Sequence, residues 1–294
     1  MMYKVLTQDQ LVQLHATLKE SLPGTAKVFY TIRHILNEIL TNFECLVDSW
    51  PKYTCFVVRP CTGKEVPAFF QYSYICHTKS ASTLKYFLQR PGVIDWTKPV
   101  NFSGIPYDLI PTTRQFCRKL GGTMQCRPPH FMYAWCKTVP IDLTRDIPVG
   151  FELGSLCKSD AAALLPVWSS SLSEHDGIEE YFKCIIENFE SSCLRNTSTG
   201  ELVAYACRKF NGSISMVYVK PEHRGTHFSS VVFKDIASKI AANGDIPFGF
   251  LATDSNKLIE MARILGFTWV PQSNMTWATY LPSIKMTQSE RILS

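Results

Sequence analysis

Residues 217–230 read VYVKPEHRGTHFSS. The apolar run Ile214 to Val219 that enters this stretch reads as a strand, and it must end at Lys220 and Pro221 because proline has no N–H for a ladder. From Phe228 the apolar residues Phe228, Val232, Ile236 and Ile240 recur at every fourth position, which predicts a helix finishing at Asn243 and Gly244. A strand, a short basic turn and a helix are thus joined. The first turn of a helix leaves unpaired N–H groups and a partial positive charge, so Arg224 to Ser229 stand where a phosphate or pyrophosphate can be held. Arg224 adds permanent charge, and Gly225 lets the backbone approach a ligand that a Cβ would obstruct. The turn by itself is equally compatible with an ordinary strand-to-helix connection carrying exposed Arg and His.

Downstream, a strand over Pro247 to Thr253 leads through Asp254 or Ser255 to a helix from Asn256 to Leu265, with Gly266 as its C-terminal cap. Phe267 to Val270 and Met275 to Tyr280, separated by PQSN, read as a closing β-hairpin. Upstream, Phe151 to Leu153 forms a strand, Asp160 to Trp168 a helix, SSSLSEHDG a polar loop and Ile178 to Phe189 another helix. Strands near Cys193 to Asn196 and Leu202 to Lys209 follow. The stretch from Arg127 is punctuated by Pro128, Pro129, Pro140 and Pro148, and a domain junction falls there, giving domains 1–146 and 147–294.

In the first half, Thr7 and Gln10 form a capping box ahead of Leu11, Leu14 and Leu18 on one helical face. That helix should stop near Pro23 and Gly24. Strands are expected at Lys27 to Ile32, Phe43 to Val47, Tyr53 to Val58 and Phe69 to Cys76, and a helix over Ser82 to Leu88.

With 294 residues the chain exceeds the roughly 150 to 250 at which single cores stop growing, in keeping with two domains. No apolar run approaches the ~18 residues of a membrane helix. The net charge is +5 with no basic block, which suits a small anionic ligand and gives little support to nucleic-acid binding. Eleven cysteines, odd in number and without a C-x-x-C pair, read as reduced core thiols. No metal site is expected, since His and Cys lack zinc spacing, and neither a P-loop nor a G-x-S-x-G elbow is present.

The order of strand, V-x-P-x-x-R-G turn, helix, strand, helix and G-F strand resembles the Gcn5-related N-acetyltransferase fold. That resemblance implies that Val217, Tyr218 and Val219 pair with the pantetheine of coenzyme A and that the turn cradles its pyrophosphate. Arg224 fits the first position of the pattern Q/R-x-x-G-x-G/A, while His227 and Ser229 stand where small residues are usual. More of the chain resembles the glycine N-acyltransferase family: SLPGTAKVFYTIRHI, FECLVDSWPKYTCFVVRP with its element Val47, Asp48, Trp50 and Pro51, YFLQRPGVIDW, SSCLRNTSTGELVAYA and PEHRG. Trp50 reads as a core anchor.

The resemblance implies an α/β protein of two Gcn5-related N-acetyltransferase-like domains, each with a mixed central sheet flanked by helices, the C-terminal one carrying the coenzyme A site. The residues it implies for acyl-CoA are Val217, Tyr218, Val219, Arg224, Gly225, Thr226, His227, Phe228, Ser229 and Asn256. The activity implied is transfer of an acyl group from acyl-CoA, as co-substrate, to the amine of glycine or another small amino acid, with no permanently bound cofactor. A mitochondrial location follows by resemblance, otherwise a cytoplasmic one, since no targeting peptide is visible. A monomer is expected.

Attack on a thioester needs a neutral amine, a proton acceptor and donors for the oxyanion. Where family members carry a glutamate ahead of the turn, this sequence has Ser213, which can orient a water or the amine but is no base near neutral pH. Other groups near the expected cleft are Glu222, His223 and His227, with Glu174, His175 and Asp176 on the loop beside the acceptor pocket. Each of these also reads as a solvated surface residue. Ala262 stands near the place of a tyrosine acid. Two alternatives stay open: an acyl-CoA-binding protein with weakened turnover, and a protein or polyamine acetyltransferase.

Overall fold

A computed structural model of the chain describes residues 3–136, 147–172 and 177–283. The first half runs β1 (Lys4–Val5), α1 (Gln8–Lys19), α2 (Ala26–Leu36), β2 (Phe43–Val47), β3 (Cys55–Pro60), β4 (Ser73–Thr78), α3 (Ala81–Leu88), β5 (Val100–Pro106), α4 (Ile110–Lys119), β6 (Thr123–Cys126) and β7 (His130–Ala134). The second runs β8 (Phe151–Gly154), α5 (Ala161–Leu172), α6 (Ile178–Asn188), β9 (Ser191–Asn196), β10 (Leu202–Arg208), β11 (Ile214–Val219), α7 (Phe228–Ala242), β12 (Phe248–Ala252), α8 (Asn256–Ile264), β13 (Thr268–Trp269) and β14 (Met275–Leu281). Two α/β domains of Gcn5-related N-acetyltransferase type result, each a mixed sheet flanked by helices.

Helix α1 begins as its sequence requires. Thr7 accepts from the Gln10 N–H while the Gln10 side chain accepts from the Thr7 N–H, and Leu11, Leu14 and Leu18 are buried. Helix α2 corrects the expectation of a strand at Lys27 to Ile32. Its aromatic and β-branched residues favour a strand locally, but nine of its eleven residues are buried in tertiary packing, and that packing decides the outcome.

The strands run in the order β1-β2-β3-β4-β5-β14-β7-β12-β11-β10-β9-β8 through both halves. Strand β7 precedes the proline-rich segment yet pairs antiparallel with β12, Phe248 opposite Ala134 and Phe250 opposite Met132. Strand β14 ends the described chain yet pairs antiparallel with β5 and β6. The expected C-terminal hairpin is therefore corrected, because β13 pairs with β7 and β14 turns away to the first half's sheet. Ser273, between them, accepts the Met132 N–H at 2.9 Å and donates to the Val270 carbonyl at 2.6 Å, which holds the connection against β7.

Buried residues cover both faces of the second half's sheet. Ala204, Ala206 and Ile214 pack with α7 through Val232, Ile236 and Ile240. Tyr205, Cys207, Met216 and Phe248 pack on the other face with Tyr30 of α2 and Phe182 of α6. Trp50 is partly buried against this second cluster. All eleven cysteines are free; six are fully buried, while Cys136 and Cys157 are exposed. Among the described residues no helix is long and apolar enough to cross a membrane.

Candidate functional site

Strands β11 and β12 run parallel and are paired at Ile214 and Gly249. Across the other edge of β11, Tyr205 faces Tyr218 but Cys207 faces Ser215, so β11 carries one more residue than β10 over this interval. Met216 lies in that interval with φ +56°, a left-handed conformation that costs a non-glycine residue about 1–2 kcal/mol. The bulge bends β11 away from β12. Between them opens a cavity of about 470 Å³, with Val217, Val219 and Leu251 on the α7 side and Trp168, Tyr218 and Phe250 on the opposite side. The lining is largely apolar.

One end of this cleft is the turn into α7. Gly225 has φ +82°, and a Cβ there would meet nothing within 4 Å, so the backbone conformation and not lack of space calls for glycine. His227 caps the helix at φ −80° and ψ 13°, a conformation open to any L-residue, so its side chain leaves the backbone of the turn intact. No described acceptor takes the N–H groups of residues 225 to 230. They form an anion-ready row at the positive end of a 15-residue helix. The Arg224 guanidinium is exposed beside them and donates from Nε to the Val219 carbonyl at 3.4 Å.

Seven of the ten residues expected to hold acyl-CoA line the cleft: Val217, Tyr218, Val219, Arg224, Gly225, Thr226 and Ser229. Three do not. Phe228 is a core residue whose ring packs 4.8 Å from Phe151; His227 is exposed; and Asn256 is exposed at the start of α8, which reaches the cleft through Leu258, Met261 and Ala262 instead. Ser213 is buried in the β10–β11 hairpin, where its hydroxyl donates to Asn211 Oδ1 at 2.8 Å, and it does not line the cleft. His223 packs its ring on Phe228 and Phe151, and Glu222 faces Lys220. Glu174, His175 and Asp176 lie outside the described residues.

Tyr218 was legible in the sequence; the rest of the wall opposite α7 was not. Trp168 donates from Nε1 to the Tyr205 hydroxyl at 2.9 Å, and the Tyr205 ring lies 5.3 Å from that of Tyr218. Burial raises the Tyr205 phenol above its usual range. These residues lie on three separate elements, and only the aromatic content of each gave a signal. Ala262, by contrast, was singled out from sequence, and it presents no hydroxyl to the cavity it lines. The site thus offers one anion-binding end, an apolar slot between two strands and an aromatic far wall, a geometry suited to a long ligand with an anionic head.

The chain matches the family model described as aralkyl acyl-CoA:amino acid N-acyltransferase over residues 2–190, and that of FR47-like protein over residues 193–278. It is 24% identical to glycine N-acyltransferase of Bos taurus, with 94% of this chain and 98% of that protein covered. A Drosophila protein solved by structural genomics superposes with a TM-score of 0.77 at 14% identity, covering 95% of this chain and 98% of that one. A tandem protein of the same acetyltransferase fold from the clavulanic acid biosynthesis pathway superposes with a TM-score of 0.51 at 12% identity, covering 97% of this chain and 100% of that one.

Proposed function

The chain belongs to the aralkyl acyl-CoA:amino acid N-acyltransferase family, and from that premise we propose that it holds acyl-CoA in the β11–β12 cleft and passes the acyl group to glycine or another small amino acid. The observation that carries this reading is the continuous cleft from the Arg224–Ser229 turn to the bulge at Met216. In it the N–H groups of the turn and the Arg224 guanidinium bind the pyrophosphate. The pantetheine lies along the edge of β11 that turns away from β12, beside Val217 and Val219. Its thioester comes to the bulge, where strand N–H groups that a regular ladder would use are free to polarise the carbonyl.

The acceptor amine approaches from the side of Trp168 and Tyr218. Nitrogen adds to the carbonyl carbon, the tetrahedral intermediate collapses, the C–S bond breaks and the coenzyme A thiolate leaves. A free thiol has a pKa of about 8.5, so the thiolate departs without a strong acid, which accommodates Ala262 in place of a phenol. The proton lost by the ammonium passes to water, because Ser213 is no base at neutral pH and its hydroxyl is already committed to Asn211. The second proton, shed by the adduct nitrogen as the C–S bond breaks, goes to the departing thiolate.

Isothermal calorimetry with coenzyme A and acyl-CoA on the wild type and Arg224→Ala tests this reading. Saturable binding that weakens in the variant supports it; no binding of either ligand by the wild type refutes it. The same Ser213–Asn211 bond favours a second reading, an acyl-CoA-binding protein of weak turnover. Binding without thiol release in the wild type, and thiol release in Ser213→Glu, would select it.

A further inference from the structure

Lys209 directly follows β10, and its N–H donates to the Ser213 carbonyl at 2.9 Å, closing the hairpin that leads into β11. Side chains alternate along β10: Ala204 and Ala206 pack toward α7, whereas Tyr205 and Cys207 pack on the side of Trp168 and Met216. Lys209 continues the row of Tyr205 and Cys207. Its ammonium therefore belongs to the face from which the acceptor approaches.

That ammonium is half-buried, yet among the described residues it has no hydrogen-bond acceptor and no carboxylate within salt-bridge reach. Lys27 shows how this fold satisfies a buried lysine when its role is structural. Its Nζ donates to the carbonyls of Cys76, Ser103 and Gly104 at 3.2, 3.2 and 2.7 Å, stapling β4 to β5. Lys209 has no such set. Burial first, then the positive charge of nearby Arg127, lowers its pKa to about 8, so near neutral pH it remains mainly a cation. His130 stands close enough to feel both charges. Burial and the Arg127 and Lys209 charges hold His130 in its neutral form, although Asp254 opposes them. The second positive charge beside Lys209 is therefore that of Arg127, and a half-buried cation in that setting favours an anion as partner.

Arg224 stands at the coenzyme end of the cleft, and no cation among the cleft's lining residues stands on the acceptor side. From Ala206, level with the bulge, to Lys209 is three residues, or ~10 Å along a strand. The four-carbon side chain reaches back over much of that span. An amino acid carries its carboxylate two bonds from the attacking nitrogen, so one molecule can present its amine to the thioester and its carboxylate to Lys209.

We propose that Lys209 binds the carboxylate of the acceptor and so selects amino acids over simple amines. This deepens the transfer reading and rests on it. The test compares wild type, K209M and K209R with benzoyl-CoA as donor and glycine or glycinamide as acceptor. K209M should raise the KM for glycine about tenfold, leave the KM for benzoyl-CoA unchanged and erase most of the preference for glycine over glycinamide, while K209R keeps much of that preference. An unchanged preference in K209M, or a fall in kcat in both variants at constant glycine KM, overturns the assignment.

A binding measurement independent of turnover accompanies it: calorimetry with N-benzoylglycine and its amide. Carboxylate-dependent binding lost in K209M supports Lys209 even where no amino acid is conjugated, in which case the transfer reading alone fails. Equal affinity of wild type and K209M for N-benzoylglycine, or binding by neither, overturns the role of Lys209. Replacing a cation without a partner should not lower the melting temperature, which serves as the folding control.

Discussion

Asp245 takes the Arg33 guanidinium through both carboxylate oxygens, at 2.6 and 2.5 Å, although 212 residues separate the two in sequence. Arg208, at 2% exposure, shares the same carboxylate at 2.9 Å and reaches Glu190 at 2.9 Å with its other amino group. The two guanidinium groups lie 4.6 and 4.7 Å from the centre of the Tyr30 ring. This knot ties α2 of the first half to the start of β12, one wall of the cleft. Burial pushes the Asp245 carboxyl up, but Arg33 and Arg208 more than offset that and hold it below the usual carboxylate range.

Removing Asp245 leaves Arg208 buried with half its compensation. Asp245→Ala should cost about 3–5 kcal/mol in urea unfolding, and Arg33→Ala, at the more exposed partner, clearly less. Equal small losses in both would show that the knot contributes little.

His34 sits beside this knot at 4% exposure, and neither ring nitrogen has a hydrogen-bond partner. Burial, then Arg33 and Arg208, drive its pKa down to about 3. Unfolding restores a pKa of about 6.5, so the unfolded chain takes up a proton that the folded chain refuses. Stability should therefore fall as pH drops from about 6.5 toward 3, by at most about 1.4 kcal/mol per unit from this group. His34→Leu should flatten that part of the curve, and urea midpoints measured across pH 3 to 8 check it.

The turn into α7, the strand before it and the helix after it were legible because proline, glycine and a four-residue apolar period mark them locally. Helix α2 was not, since its aromatic and β-branched residues favour a strand locally and its polar stripe, Lys27, Thr31 and His34, is itself buried. The bulge at Met216 and the exchange of β7 and β14 between the halves left no local mark either. Register and long-range pairing depend on tertiary packing. For the same reason Trp168, Tyr205 and Lys209 could not be assembled from sequence, although Arg224 and Gly225 could.

At the anion-binding end, Arg224→Ala should weaken acyl-CoA binding about tenfold and flatten its salt dependence. Gly225→Ala forces a Cβ into the left-handed region at about 1 kcal/mol and should weaken binding severalfold with little change in melting temperature. Calorimetry at two salt concentrations reads both. Retained affinity in the pair would move the pyrophosphate elsewhere.

Ala262 is 2% exposed and lines the slot with Leu258 and Met261. Ala262→Phe should fill part of the ~470 Å³ cavity and raise the Kd for acyl-CoA at least about tenfold. Unimpaired binding in a folded variant would place the acyl-CoA outside this slot.

The most direct measurement is mass-spectrometric detection of N-acyl amino acid alongside thiol release, with purified protein and acyl-CoA donors crossed against glycine and other small amino acids. One mole of N-acyl product should form for each mole of free coenzyme A, and Arg224→Ala should lower both about tenfold at limiting acyl-CoA. Absence of product with every acceptor, or equal amounts with and without an amino acid, would contradict it.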